Sequence, residues 1–225
     1  MIKAVIFDMF ETLITHFECP LYFSTQMASD AGIPEDSFRT MWNTTDAQRT
    51  LGQMNFEEAI EDILVAYGKY SKELFTKIVE KRVFTKEECF RHLHKEILPM
   101  LQKLKEEGYL VGLISNCFSE EAPVIRKSVL FPYFDQVCLS CEEGVRKPDS
   151  EIYDRCRDKL GVKAEECVYV GDGGSSELEA ARAIGMHEVQ AVWYFKDGTL
   201  QPCGRKDGFV QMESPLGLIE YVKTL

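Results

Sequence analysis

Ala4-Val5-Ile6-Phe7-Asp8-Met9-Phe10-Glu11-Thr12 is the stretch on which the reading of this chain turns. Four apolar residues, rich in β-branched types, read as a short strand buried on both faces, as in a parallel sheet. The run stops at an aspartate. A carboxylate at the carboxyl end of a central parallel strand sits where open α/β sheets bind ligands, in the crevice beyond the strand ends. Asp8 is therefore a candidate for chemistry. The other reading is that Asp8 caps or turns the chain after the strand; the motif alone leaves both open.

Outward from Thr12 the strand pattern is absent for about 80 residues. Helix-like spacing covers residues 20 to 31, 34 to 48, 55 to 67, 71 to 83 and 85 to 94, separated by Gly32-Ile33-Pro34, Leu51-Gly52-Gln53 and Gly68. Asn55-Phe56-Glu57-Glu58 has the form of a capping box. From Ile97 onward helix and strand alternate. Helices are predicted over 99 to 107, 119 to 129, 151 to 160 and 176 to 184, and strands over 109 to 114, 134 to 139, 166 to 170 and 188 to 193. Such alternation with short links predicts a parallel sheet covered by helices. Residues 196 to 207 read as a loop and 215 to 223 as a closing helix.

Three of these strands end in polar residues. Leu110-Val111-Gly112-Leu113-Ile114 runs into Ser115-Asn116, Arg146-Lys147-Pro148-Asp149 follows the strand around Val137, and Cys167-Val168-Tyr169-Val170 runs into Gly171-Asp172-Gly173. Each set has a plainer reading: Ser115-Asn116 as a helix cap, Lys147 as a solvated loop cation, the Gly171 segment as a glycine-rich turn. Glycine-rich turns also cradle anions through backbone N–H groups.

The composition, 45% hydrophobic and 28% charged over 225 residues, is that of a chain able to bury an ordinary core. A net charge of −11 disfavours nucleic acid and anionic membrane as partners, since most of the surface repels them. No apolar run approaches the roughly 20 residues of a membrane span, and no secretory pattern opens the chain, so a cytoplasmic protein is expected. The eight cysteines are scattered through helix-like and strand-like segments and read as free buried thiols. Cys138-Leu139-Ser140-Cys141 has CxxC spacing but stands without a second such pair. His16, His92, His94 and His187 show no metal-ligand spacing tied to the motifs.

In this order, Asp8, Ser115, Lys147 and Asp172 resemble the motifs of the haloacid dehalogenase superfamily, mostly phosphatases and phosphotransferases that form an aspartyl-phosphate. The resemblance covers nearly the whole chain. It implies an α/β fold with a Rossmann-like parallel-sheet core, formed by residues 1 to 15 and 96 to 225, and an inserted all-helical cap domain at 16 to 95. It also implies a hydrolase acting on a small phosphorylated molecule, with Asp8 as nucleophile, Ser115 and Asn116 at the phosphate, and Lys147 neutralising the charge. Mg²⁺ would be held by Asp8, the Phe10 carbonyl and Asp172, with Glu177 either reaching the metal through water or orienting Lys147. Arg49 resembles a cap residue that faces the site in relatives and is a candidate contact for a substrate anion, with Gly52 allowing close approach; the plainer reading is an exposed helix-end cation.

One departure is informative. Family phosphatases carry an acid two residues after the nucleophile, where this chain has Phe10, and family dehalogenases carry an aromatic there. Two alternatives to a phosphatase follow, a 2-haloacid dehalogenase-type hydrolase and a catalytically weak scaffold used for binding.

Overall fold

The computed structural model describes residues 1–196 and 203–225. Six parallel strands, β1 (Ala4–Phe7), β2 (Leu110–Ser115), β3 (Gln136–Leu139), β4 (Cys167–Gly171), β5 (His187–Ala191) and β6 (Val210–Met212), form one sheet in the order β3-β2-β1-β4-β5-β6. The chain is α/β, and β1 is central: Ala4 to Phe7 pair with Leu110 to Leu113 on one side and Cys167 to Val170 on the other. The period of two along a strand sends alternate side chains to opposite faces. Val5 and Phe7 enter one hydrophobic cluster with Val111, Leu113, Val168 and Val170. Ala4 and Ile6 enter the other with Cys167 and Tyr169. All four β1 side chains have 0% exposure, and full burial of a Phe or Ile contributes roughly 1.5–3 kcal/mol.

Helices α6 (Ile97–Glu106), α7 (Glu121–Lys127) and α11 (Pro215–Val222) cover the first face; α9 (Ser150–Leu160) and α10 (Glu177–Ala183) cover the second, and the short α8 (Ser140–Glu143) follows β3. Between β1 and β2 lie only helices: α1 (Ser24–Ala31), α2 (Glu35–Thr44), α3 (Asp46–Thr50), α4 (Phe56–Ala66) and α5 (Lys72–Cys89). They share a separate core of Met27, Phe38, Trp42, Phe56, Ile60 and Ile78. The capping box starts α4: the Asn55 side chain accepts from Glu58 N at 2.7 Å and the Glu58 carboxylate accepts from Asn55 N at 2.8 Å.

The predicted elements differ from these most at α5, at α2 and α3, and in the tail, and the short α8 was not among them. The helices expected at 71 to 83 and 85 to 94 are one continuous helix, α5, which runs unbroken through the half-exposed Phe84 and ends at Cys89, short of the expected 94. The helix expected over 34 to 48 divides at Thr45 into α2 and α3. Strand β6 falls in the tail, where three residues at a sheet edge are too short to show alternation. The loop expected over 196 to 207 lies partly outside the described residues. Among the described residues no helix is long and apolar enough to cross a membrane.

The helical block meets the sheet side of the molecule through a buried ion network. Arg82 of α5 donates to Glu120 at 2.9 Å and to Glu121 at 3.2 Å, and Lys86 lies 2.7 Å from Glu121. Burial opposes ionisation of Glu121, but Lys86 and Arg82 outweigh it and hold the carboxyl down at about 2. Removing one partner of such a set leaves a buried charge uncompensated. Arg82→Ala should therefore cost about 3–5 kcal/mol of unfolding free energy, read from the urea midpoint. A loss comparable to that of an exposed substitution would show that the network carries no such weight.

Candidate active site

The site is built from strand ends. β1, β2 and β4 stop at the same edge of the sheet, and the residues that follow them project beyond it. Asp8 directly follows β1, and its backbone N–H donates to Val170 O at 2.9 Å, tying it to the end of β4. Its carboxylate accepts from Lys147 Nζ at 2.5 Å and from Thr12 Oγ1 at 3.2 Å. Lys147 Nζ also donates to Glu177 Oε2 at 2.6 Å and approaches Tyr169 OH at 3.1 Å. The ammonium is almost wholly buried between two carboxylates.

Lys147 is held there by its backbone. Its N–H donates to Asn116 Oδ1 at 2.8 Å and its carbonyl accepts from Asn116 Nδ2 at 2.9 Å, a reciprocal pair spanning the ends of two strands. Glu177, the first residue of α10, also accepts from Tyr169 OH at 2.7 Å and from Gly173 N at 3.0 Å. Gly171 makes room for it: a Cβ there would stand 2.1 Å from Glu177 Oε1. A side chain at position 171 would push that carboxylate off the lysine.

Asp172 completes the acidic group. Asp8, Asp172 and Glu177 each offer an oxygen, and the three oxygens lie within 4.8 Å of one another. Burial and the neighbouring Glu177 and Asp8 raise the Asp172 carboxyl to about 8. Burial is also the main cause that raises Asp8 to about 7, against the opposing pull of Lys147. Burial opposes the charge on Lys147, yet Asp8 and Glu177 raise it above its ordinary value, so it stays an ammonium. One cation facing three clustered acids is a donor set with room for a further cation. All-oxygen ligands suit a hard divalent ion such as Mg²⁺.

The carboxylates face a cavity of about 510 Å³ whose opposite wall comes from the helical block. Phe23 and Trp42 supply that wall, Phe10 and Phe118 continue it, and Lys86 and Arg82 bring positive charge. His16 also lines the cavity. It stacks on Phe10 at 4.8 Å, and its Nε2 lies 2.6 Å from Lys86 Nζ.

Of the residues singled out in the sequence, the structure brings Asp8, Lys147, Asp172 and Glu177 together, with Asn116 and Phe10 on the cavity wall. Ser115 lies at the end of β2 with its hydroxyl buried and without a hydrogen-bond partner among the described residues. Arg49 is a correction. It is neither an exposed helix-end cation nor a cavity residue: it is 0% exposed, donating to Trp42 O at 2.8 Å and Thr45 Oγ1 at 3.1 Å. The short α3 folds its guanidinium back between two rings, 3.4 Å from the Trp42 centroid and 4.3 Å from that of Phe118. Arg49 buttresses the aromatic wall, and its Nη1 is buried without a hydrogen-bond partner among the described residues. The close approach expected at Gly52 is to the backbone of Cys141, whose carbonyl oxygen a Cβ would meet at 1.9 Å. His16, Lys86, Phe23, Phe118 and Trp42 were not foreseen as cavity residues; no motif or spacing marks them.

The raised acids give a stability test. A carboxyl at about 8 in the folded chain, against an ordinary 3.8, binds a proton that the unfolded chain has released. Its contribution is fully present below the unfolded value and is lost as pH rises through the folded one. In chelator-treated protein, Asp172→Asn should raise Tm by several degrees at pH 8, with the gain shrinking as pH falls toward 4. A gain that is constant with pH would contradict the assignment.

A model of the haloacid dehalogenase-like hydrolase family matches residues 2–185. The glyceraldehyde 3-phosphate phosphatase of Methanopyrus kandleri is 27% identical over 207 residues, covering 84% of this chain and 84% of that protein. Among solved structures, the 2-haloacid dehalogenase of Pseudomonas syringae pv. Tomato superposes with a TM-score of 0.71 at 19% identity, covering 100% of this chain and 99% of its own. A HAD family enzyme of Bacteroides thetaiotaomicron, in complex with magnesium and inorganic phosphate, gives a TM-score of 0.66 at 19% identity, covering 90% of this chain and 98% of its own. These two likenesses are of fold. On the family match over residues 2–185, the chain belongs to the haloacid dehalogenase-like hydrolases.

Proposed function

We propose that this hydrolase is a magnesium-dependent phosphatase acting on a small phosphate monoester, with Asp8 as nucleophile. The observation that carries the reading is the buried Lys147 ammonium fixed between Asp8 and Glu177, with Asp172 beside them at the floor of a cavity. A phosphoryl group resists attack because its oxygens are negative, so the site must hold a nucleophile in line and place positive charge at those oxygens. The naming of the Methanopyrus kandleri relative as a phosphatase supports the same reaction class.

An Asp8 carboxylate oxygen attacks phosphorus, the ester oxygen leaves, and an aspartyl phosphate forms that water then hydrolyses. Lys147 stays charged throughout, screening Asp8 from the phosphate and holding its carboxylate in one orientation. Glu177 and Tyr169 position that ammonium, and Asn116 fixes the backbone that carries it. The buried Ser115 hydroxyl is the donor offered to a phosphate oxygen. Asp8, the Phe10 carbonyl and Asp172 would hold Mg²⁺, with Glu177 at its margin; when bound, the ion supplies the charge that keeps the acids ionised and neutralises the phosphoryl oxygens. The aromatic wall and the cations Lys86 and Arg82 face the leaving group.

Phe10 favours a second reading, displacement of halide from a 2-haloacid, because its stacked ring offers no proton to a leaving alcohol. The clustered acids count against it, since a carbon-centred displacement has no need of a divalent site. With p-nitrophenyl phosphate, whose leaving group needs little protonation, purified protein should release p-nitrophenol only when Mg²⁺ is added. Asp8→Asn should abolish turnover, and Lys147→Met should lower kcat by about 10²-fold or more, the scale of losing one group that stabilises developing charge. Metal-independent chloride release from 2-chloropropionate with no phosphate release would overturn the phosphatase reading in favour of the second.

A further inference from the structure

The chain passes between the sheet and the helical block at two places, the segment from β1 to α1 and the end of α5. Each carries a cysteine, and the two sulfurs meet: Cys19 Sγ lies 2.8 Å from Cys89 Sγ across 70 residues of sequence. Both are free thiols. A sulfur–sulfur bond is roughly 2.05 Å long, so a shift of under an ångström separates this contact from a disulfide. Cys117 and Cys141 are farther apart, at 3.8 Å.

The surroundings distinguish the two thiols. Cys89 is 1% exposed and its thiol donates to Thr85 O at 3.3 Å, whereas Cys19 is only partly buried and within reach of a small oxidant. Contact with the Cys89 sulfur, together with the Lys86 ammonium, holds the Cys19 thiol below its ordinary range against the opposing effect of partial burial. Thiolate character together with access is what makes a cysteine reactive. Cysteine pairs that form transient, signalling disulfides inside cells have this character.

We propose that Cys19 and Cys89 are a redox modification site, closing to a reversible disulfide under a peroxide and stapling the base of the helical block. The Cys19 thiolate attacks one oxygen of hydrogen peroxide, the O–O bond breaks, and a sulfenic acid forms as hydroxide leaves and takes up a proton. The Cys89 sulfur then attacks the sulfenic sulfur; the S–S bond forms, the S–O bond breaks, and the second hydroxide leaves as water with the Cys89 proton. Two thiols and one hydrogen peroxide give one disulfide and two waters.

The staple joins both connections of the block at one point. Lys86, one turn before Cys89, and His16, three residues before Cys19, are in contact on the cavity wall, so the crosslink fixes that wall against the sheet side. Opening the cavity by bending at the two connections is then blocked. The inference is independent of the reaction catalysed.

The test treats the whole native chain with hydrogen peroxide and maps its peptides by mass spectrometry, with and without dithiothreitol. A linked Cys19–Cys89 peptide lacking two hydrogens should appear in wild type, disappear on reduction, and be absent from Cys19→Ser and from Cys89→Ser. Amide hydrogen exchange over residues 16 to 23 and 89 to 95 should slow by about tenfold or more in the oxidised form, as expected when local opening is restrained. If the other cysteines oxidise while Cys19 and Cys89 stay unlinked, the site is refuted. If the link forms and exchange is unchanged, the stapling role is refuted.

Discussion

A single buried ammonium holds this site together. Lys147 is surrounded by Asp8, Glu177 and Tyr169, and among the described residues it is the one cation in direct contact with the clustered acids. Charges removed from water are costly unless their attraction and hydrogen bonds compensate, and in a low-dielectric setting both terms are large. With Lys147 in place, Asp8 and Glu177 are tolerable side by side at the strand ends; without it, two buried carboxylates would face each other uncompensated. Asp172 is the remaining acid, and burial, and after it the neighbouring Glu177 and Asp8, push its carboxyl up.

The rest of the fold keeps that ammonium in position. Central β1 places Asp8 between two neighbours that register it residue by residue. Asn116, one residue past β2, clamps the Lys147 backbone from both sides. Gly171 leaves the space that the Glu177 carboxylate fills, and Gly173 donates to it. On the far side of the cavity a second set of buried charges, Arg82 and Lys86 against Glu120 and Glu121, seats the helical block, while Arg49 stiffens its aromatic wall from behind.

Much of this was legible in the sequence because it is local in sequence. Buried strands ending in polar residues mark Asp8, Ser115 and Asp172 directly, and alternation predicts the parallel sheet. The capping box at Asn55 and Glu58 depends on residues three apart and appears as read. What escaped depends on distant contacts. Arg49 carries a charge, and its burial between Trp42 and Phe118 follows only from where α3 packs. His16 and Lys86 are 70 residues apart, and no spacing rule joins them. Cys138 and Cys141, close in sequence, do not form a pair: Cys141 faces Cys117, and the Cys138 sulfur accepts from Lys159 Nζ at 3.9 Å. Strand β6 borrows its pairing from β5 and has too few residues to announce itself.

On the proposed function, strand ends distant in sequence assemble one cation site beside Asp8. Diffraction from crystals grown with Mn²⁺, which replaces Mg²⁺ and scatters anomalously, tests it most directly. The account predicts one strong anomalous peak in contact with carboxylate oxygens of both Asp8 and Asp172, with Lys147 still on Asp8. A peak bound to one of these acids and not the other, or no peak at the strand ends, would contradict it.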